Sequence, residues 1–170
     1  MRTKVPGSVR DLTREPTVAP CCSERNTRRT MPEEPAKPDP NGVIRSMTDA
    51  FNRRDVDGVM ASYSQCPVWD TSAVGLGVHE GRDAVRAFHE DWQRAYEDFE
   101  GVVTSLEDLG NGVVVTVFYN RARPAGGTGF VELRFALVMT WSDGLVEQVT
   151  AYTDIAEARA AAERLAEERG

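Results

Sequence analysis

Leu109-Gly110-Asn111-Gly112-Val113 decides the fold. Asn-Gly is the strongest short hairpin signal, because both central residues of that tight turn need positive φ, which Asn tolerates and Gly adopts freely. A hairpin here makes strands of both flanks. Upstream is residues 102–107 and downstream residues 113–123, both rich in β-branched side chains. The looser Pro124-Ala125-Gly126-Gly127-Thr128-Gly129 connection leads to a third strand at 130–141. Ser142-Asp143-Gly144 turns the chain into a fourth at 145–153. The second half is therefore expected to be a four-strand meander.

Before the meander the apolar period is helical. Val43, Ile44, Met47, Ala50 and Phe51 recur at spacings of three and four, so they share one helix face. Asn52-Arg53-Arg54 breaks that pattern. Asp55 can cap a second helix carrying Val56, Val59, Met60 and Tyr63. Pro67 stops helical structure, residues 68–70 read as a short strand, and Gly75-Leu76-Gly77 reads as a loop. A third helix is expected from about 82 to 99. Its apolar face is Ala84, Val85, Phe88, Trp92, Ala95, Tyr96 and Phe99, with His89 beside it. After the meander, Asp154 caps an alanine-rich last helix, with Glu157 completing a capping box. Helices and strands that do not alternate one for one indicate an α+β domain, here N-terminal helices packed on a curved antiparallel sheet that encloses a pocket.

Residues 1–40 hold seven of the nine prolines and no apolar run, so they read as a disordered tail ahead of a domain over residues 41–170. Met31 offers an alternative start. The tail has eight basic against six acidic side chains, a net +2, which leaves −9 on the rest of a chain of net charge −7. An acidic body argues against a nucleic-acid partner. No apolar stretch matches a signal peptide or a membrane span, so neither a membrane partner nor export is expected. Cys21 and Cys22 are adjacent in the tail and Cys66 is alone in the body, which gives no disulfide framework and points to a cytoplasmic setting. Residues 41–170 contain no lysine, which excludes a Schiff base and a P-loop lysine there. Gly-x-Ser-x-Gly and Gly-x-Gly-x-x-Gly are both missing. His79 and His89 are the only histidines and lack metal-ligand spacing, so neither a metal nor a cofactor is expected.

The order of motifs resembles the NTF2-like superfamily, and within it the SnoaL-like and ketosteroid-isomerase-like proteins. The motifs are the Asn-Arg-Arg-Asp-Val-Asp-Gly corner at 52–58, Val68-Trp69-Asp70, Gly81-Arg82-Asp83-Ala84-Val85, and the meander ending in Asp143-Gly144-Leu145-Val146-Glu147. The resemblance covers roughly residues 43–160. It implies a cone-shaped α+β fold, a ligand cavity on the concave sheet face, and a homodimer through the outer face. It also places Asp70 where the isomerases keep a general base. The positions matching their oxyanion donors fall close to Met47 and Leu137, both apolar, so ketosteroid isomerisation itself is not implied. The epoxide-hydrolase Arg-x-Asp arrangement has only a reversed counterpart in Glu132-Leu133-Arg134.

Asp70 and His79 are the candidate acid/base residues. Enclosure among Trp69, Val74 and Leu76 would raise the Asp70 pKa toward a useful range. The other reading of Asp70 is a turn residue hydrogen-bonding the Thr71-Ser72 backbone. His79 adjoins the glycine-rich loop as a second proton carrier, while His89 reads as a packing residue. Candidate ligand contacts are Trp69, Phe88, Trp92, Phe135, Leu137, Met139 and Tyr152, with Tyr119 and Arg121 added if their face of the second strand is concave. These residues suit a small hydrophobic molecule, of polyketide, steroid or terpenoid type, with proton transfer in a cyclisation, isomerisation or dehydration. A non-catalytic binding or dimerisation module is the alternative.

Overall fold

The computed structural model describes residues 39–170. The tail expected over residues 1–40 lies outside them up to residue 38. Asp39 caps the first helix, its carboxylate accepting from the amides of Asn41 and Gly42, with Pro40 in the first turn. That helix, α1 (Pro40–Asn52), buries Ile44, Met47 and Ala50. Arg54 turns the corner with a φ of 61°. The Asp55 side chain then accepts from the Gly58 amide to start α2 (Val56–Met60).

The sheet has six strands in the order β2-β1-β6-β5-β4-β3. They are β1 (Tyr63–Asp70), β2 (Val78–Glu80), β3 (Tyr96–Gly110), β4 (Val113–Pro124), β5 (Val131–Ser142) and β6 (Leu145–Tyr152). All neighbours pair antiparallel except β1 and β6, which run parallel. The sheet is thus mixed rather than purely antiparallel, because β1 returns beside the end of the meander. At the β3–β4 turn, Asn111 and Gly112 both have positive φ, 51° and 71°. A Cβ on Gly112 would lie 2.6 Å from the Trp141 carbonyl oxygen, so glycine is required there twice over.

Three boundaries differ from the sequence expectation. Tyr63 opens β1 instead of closing α2, and the strand passes through Pro67 where its register against β6 shifts, a place that does not need the missing N–H. Residues 78–80 form β2 on the edge of β1. The third helix, α3 (Arg82–Ala95), stops a turn early because residues 96–100 extend β3 along the far end of β4. Arg54 fixes that switch by donating to the carbonyls of Gln93, Tyr96 and Glu97. Arg123 on β4 pairs with Glu97 and Asp98.

Two apolar layers result. On the concave side α1, α2 and α3 pack Ile44, Met47, Val59, Met60 and Val85 against Val114, Phe118, Leu137, Met139 and Val149. On the outer side the last helix, α4 (Ile155–Glu168), lays Ala158, Ala162 and Ala166 on Val113, Val115, Val117, Ala136 and Val138. Small side chains let the helix approach the sheet closely. Part of the outer sheet face, through which a homodimer is expected, is therefore covered by the chain's own α4. Asp154 caps α4 through the amides of Ala156 and Glu157. Among the described residues no helix is long and apolar enough to cross a membrane.

Candidate functional site

The curl of β3–β6 over α1 and α3 leaves a cavity of about 340 Å³. Its floor is Leu137, Met139 and Ala151, its walls are Phe51, Phe88, Trp92 and Phe99, and Val74, Leu76 and Leu133 stand exposed among the lining residues. Trp69, Phe88, Trp92, Phe135, Leu137 and Met139, all candidates from the sequence, lie on this lining. Among the described residues no Asp, Glu, Lys or Arg does.

Strand alternation explains which candidates stay outside. Trp69 points inward, its ring centroid 5.1 Å from that of His89, so its neighbour Asp70 points outward. Asp70 is absent from the lining and accepts from the Ser72 amide at 2.9 Å. Hydrogen bonds from Ser72, side chain first and backbone second, hold its carboxyl below the ordinary value, opposite to the expected rise. Its geometry is that of the Asx turn, the other of the two sequence readings. On β4 the inward side chains are Phe118 and Asn120, which leaves Tyr119 and Arg121 on the outer face. There Arg121 sits 3.6 Å over the Phe130 ring and near Glu132. Tyr152 pairs opposite Ala136 and packs with the α4 layer, also outside. His79 pairs opposite Trp69 and packs on Phe88, with ring centroids 4.5 Å apart, but it is not on the lining.

The polar groups at the cavity are ones that sequence reasoning passed over. His89 is 4% exposed and lines the cavity. Its Nε2 is 3.4 Å from the Tyr63 hydroxyl, and its Nδ1 is buried without a hydrogen-bond partner. Burial, helped by nearby His79, lowers its pKa to about 4, so the ring is neutral at pH 7. Burial likewise pushes the Tyr63 hydroxyl well above its ordinary value. Asn120 is buried with its Oδ1 unpartnered. The position of His89, one turn past Val85 and between Phe88 and Trp92, was the available signal.

The Thr71–Gly77 loop frames the cavity beside α3. Thr71 donates to the Gly77 carbonyl from both its amide and its hydroxyl, at 2.8 Å each, which pinches the loop at its base. Val74 and Leu76, both on this loop, are thereby held at the cavity. Among the described residues no group of three or more His, Cys, Asp or Glu side chains could hold a metal ion.

Solved structures share this architecture. A Burkholderia pseudomallei NTF2-like protein of unknown function is 24% identical, with 72% of this chain and 95% of that one covered and a TM-score of 0.59. A Mycobacterium tuberculosis protein in complex with estradiol-17β-hemisuccinate is 16% identical, with 66% and 91% covered and a TM-score of 0.58. The epoxide hydrolase/cyclase-like enzyme SalBIII, of pyran ring formation in the polyether salinomycin, is 16% identical, with 66% and 88% covered and a TM-score of 0.58. At these identities the likeness establishes an NTF2-like α+β fold. A search of curated protein sequences finds no match. The model of the SnoaL-like domain matches residues 44–149, and the chain belongs to that family.

Proposed function

We propose that the chain binds a small hydrophobic molecule, of polyketide, steroid or terpenoid type, in the cavity between the sheet and α1–α3. The supporting observation is the lining itself: about 340 Å³, walled by aromatic and aliphatic side chains, with no Asp, Glu, Lys or Arg among the described residues. Sites of this size and composition are typical for small organic ligands. The estradiol hemisuccinate complex and the cyclase-like enzyme among the structural neighbours agree with that chemistry. No cofactor and no nucleic acid enter this proposal, and its setting is cytoplasmic.

A second reading, proton transfer on the bound molecule in a cyclisation, isomerisation or dehydration, is favoured by one observation. His89 is the neutral imidazole at the cavity wall, with Nδ1 unpartnered and Tyr63 beside Nε2. It replaces Asp70 in that role, because Asp70 faces the other side of the sheet. A thermal-shift screen of aromatic polyketides, steroids and terpenoids tests both readings, with product analysis on each stabilising compound. Stabilising ligands should act equally on the wild type and Asp70→Asn. If any ligand is converted, His89→Asn should abolish conversion and Asp70→Asn should leave it intact. Stabilisation without conversion leaves plain binding. No stabilisation by any compound contradicts the proposal.

A homodimer through the part of the outer sheet face that α4 leaves open is also proposed. Phe130 is 45% exposed there, with Tyr119, Arg121, Glu132 and Arg134 around it. Light scattering should give twice the chain mass for the wild type and the monomer mass for Phe130→Asp. A monomeric wild type would rule this interface out.

A further inference from the structure

The loop between β1 and β2 is anchored at its base and open at its tip. Thr71 is buried, whereas every residue from 72 to 78 is exposed. Besides the two hydrogen bonds from Thr71 to the Gly77 carbonyl, the Leu76 amide donates to the Thr71 carbonyl at 3.2 Å. The tip itself is a single 3-10 turn at Ser72–Val74, ended by Gly75. Gly75 and Gly77 have φ of 77° and 81°, and a Cβ on either would meet nothing within 4 Å among the described residues. The tip is thus a compact unit, tied at its base and with open space beside both glycines. Two glycines in the left-handed region let the chain on that side of the tip change direction at little steric cost.

The side chains on this unit are apolar although they face water. Leu76 is 49% exposed and Val74 is exposed too, yet both line the cavity. Leu133 on β5 has the same character, 43% exposed and on the lining. Topology sets these residues on two sides of one opening. β1 and β6 run parallel with Asp70 opposite Thr150, so the loop leaves β1 close to where β6 ends at Tyr152. Tyr152 pairs with Ala136, and β5 starts earlier, at Val131, so Leu133 lies past the end of β6. Beyond that end the loop stands on one side and Leu133 on the other.

Burying apolar surface is favourable in proportion to its area, and a ligand in the cavity supplies atoms for these side chains to pack on. We propose that residues 72–76 form a lid that closes over a bound ligand, bringing Val74 and Leu76 down on it and toward Leu133. The proposal rests on the binding reading above and adds how the ligand is enclosed and released. Its distinguishing consequence is that Leu76 becomes buried in the complex. A fixed wall would touch the ligand on its inner side and keep its outer side in water.

The test uses the full chain and prodan, a neutral naphthalene fluorophore whose emission shifts to the blue on leaving water. That shift reports binding separately from the loop. Leu76→Cys is alkylated with N-ethylmaleimide with and without prodan at a concentration that saturates the variant. Mass spectrometry of the labelled peptides separates this site from Cys21, Cys22 and Cys66. Labelling at position 76 should slow at least about tenfold in the complex, because a closed lid leaves an open state of at most about 10%. Val78→Cys is the control, at an exposed position beside the loop that does not line the cavity, and its labelling rate should not change. Leu76→Asp should bind prodan at least roughly tenfold more weakly than the wild type, because closure buries an unpaired carboxylate. Val78→Asp should bind it as tightly as the wild type. Unchanged labelling of Leu76→Cys, slowing shared equally by Val78→Cys, or undiminished binding by Leu76→Asp overturns the lid and leaves the binding reading standing. A wild type that gives no blue shift with prodan overturns both.

Discussion

Tyr63→Ala should lower the free energy of unfolding by about 3–5 kcal/mol, the cost of deleting a buried large aromatic side chain. Tyr63 is 2% exposed and opens β1 under α3, with ring centroids 6.3 Å from Trp69 and 6.0 Å from His89. Its removal leaves a void in the concave core and strips His89 Nε2 of its partner. Tyr63→Phe is the control. It keeps the packing and loses only the 3.4 Å contact, so about 0.5–1.5 kcal/mol is expected. Urea denaturation of the three proteins measures the difference. Equal stability of wild type and Tyr63→Ala would mean that Tyr63 is not part of the core.

Stability should also fall between pH 6.5 and about pH 4. The His89 pKa drops from 6.5 to about 4 on folding. The unfolded chain therefore binds more protons in this window, and stability rises with pH across it. The contribution is complete above pH 6.5 and is lost as pH falls toward 4, a total of roughly 3 kcal/mol at 1.36 kcal/mol per pKa unit. The groups facing His89 are the Tyr63 hydroxyl from β1 and the His79 ring from β2. Asp70 and Glu97 have lowered pKa values of their own, so their losses begin only below their ordinary range near pH 4. His89→Gln should flatten the slope between pH 6.5 and 4 in denaturation curves taken at half-unit steps. An unchanged slope in that variant would assign the acid sensitivity elsewhere.

The fold was legible because its signals are local. Asn111-Gly112 can hardly be anything but a hairpin, and Asp55 and Asp154 each begin a helix through their own carboxylates, whereas Asp39, assigned to the tail by composition, caps α1 in the same way. What the sequence missed was decided by distant partners. Nothing between Ala95 and Phe99 says that the helical period ends. Arg54 and Arg123, far away in sequence, end it by capping α3 and pairing with the start of β3. The site was half legible for a related reason. Alternation shows one apolar face on β5, carrying Phe135, Leu137 and Met139, and the family resemblance assigns that face to the concave side. Tyr119 and Arg121 have no such internal reference, since both faces of β4 are buried over most of its length, one under α4 and one in the core. Asp70 drew attention by analogy of position, yet Trp69 beside it takes the inward direction. His89 was set aside because a histidine on an apolar helix face is usually packing. Here its neighbours leave one ring nitrogen unpaired beside a cavity.

Isothermal titration calorimetry tests the central claim most directly. The titrant is a stabilising neutral compound from the thermal-shift screen, run at several temperatures against the wild type and Leu137→Trp. Leu137 is 4% exposed on the cavity floor, and a tryptophan there fills the space at an overpacking cost of about 1–3 kcal/mol. The predicted result is saturable 1:1 binding to the wild type with a negative heat-capacity change from apolar burial. The folded Leu137→Trp variant should bind at least about tenfold more weakly. Binding of undiminished strength in that variant would place the ligand outside the cavity and contradict the account.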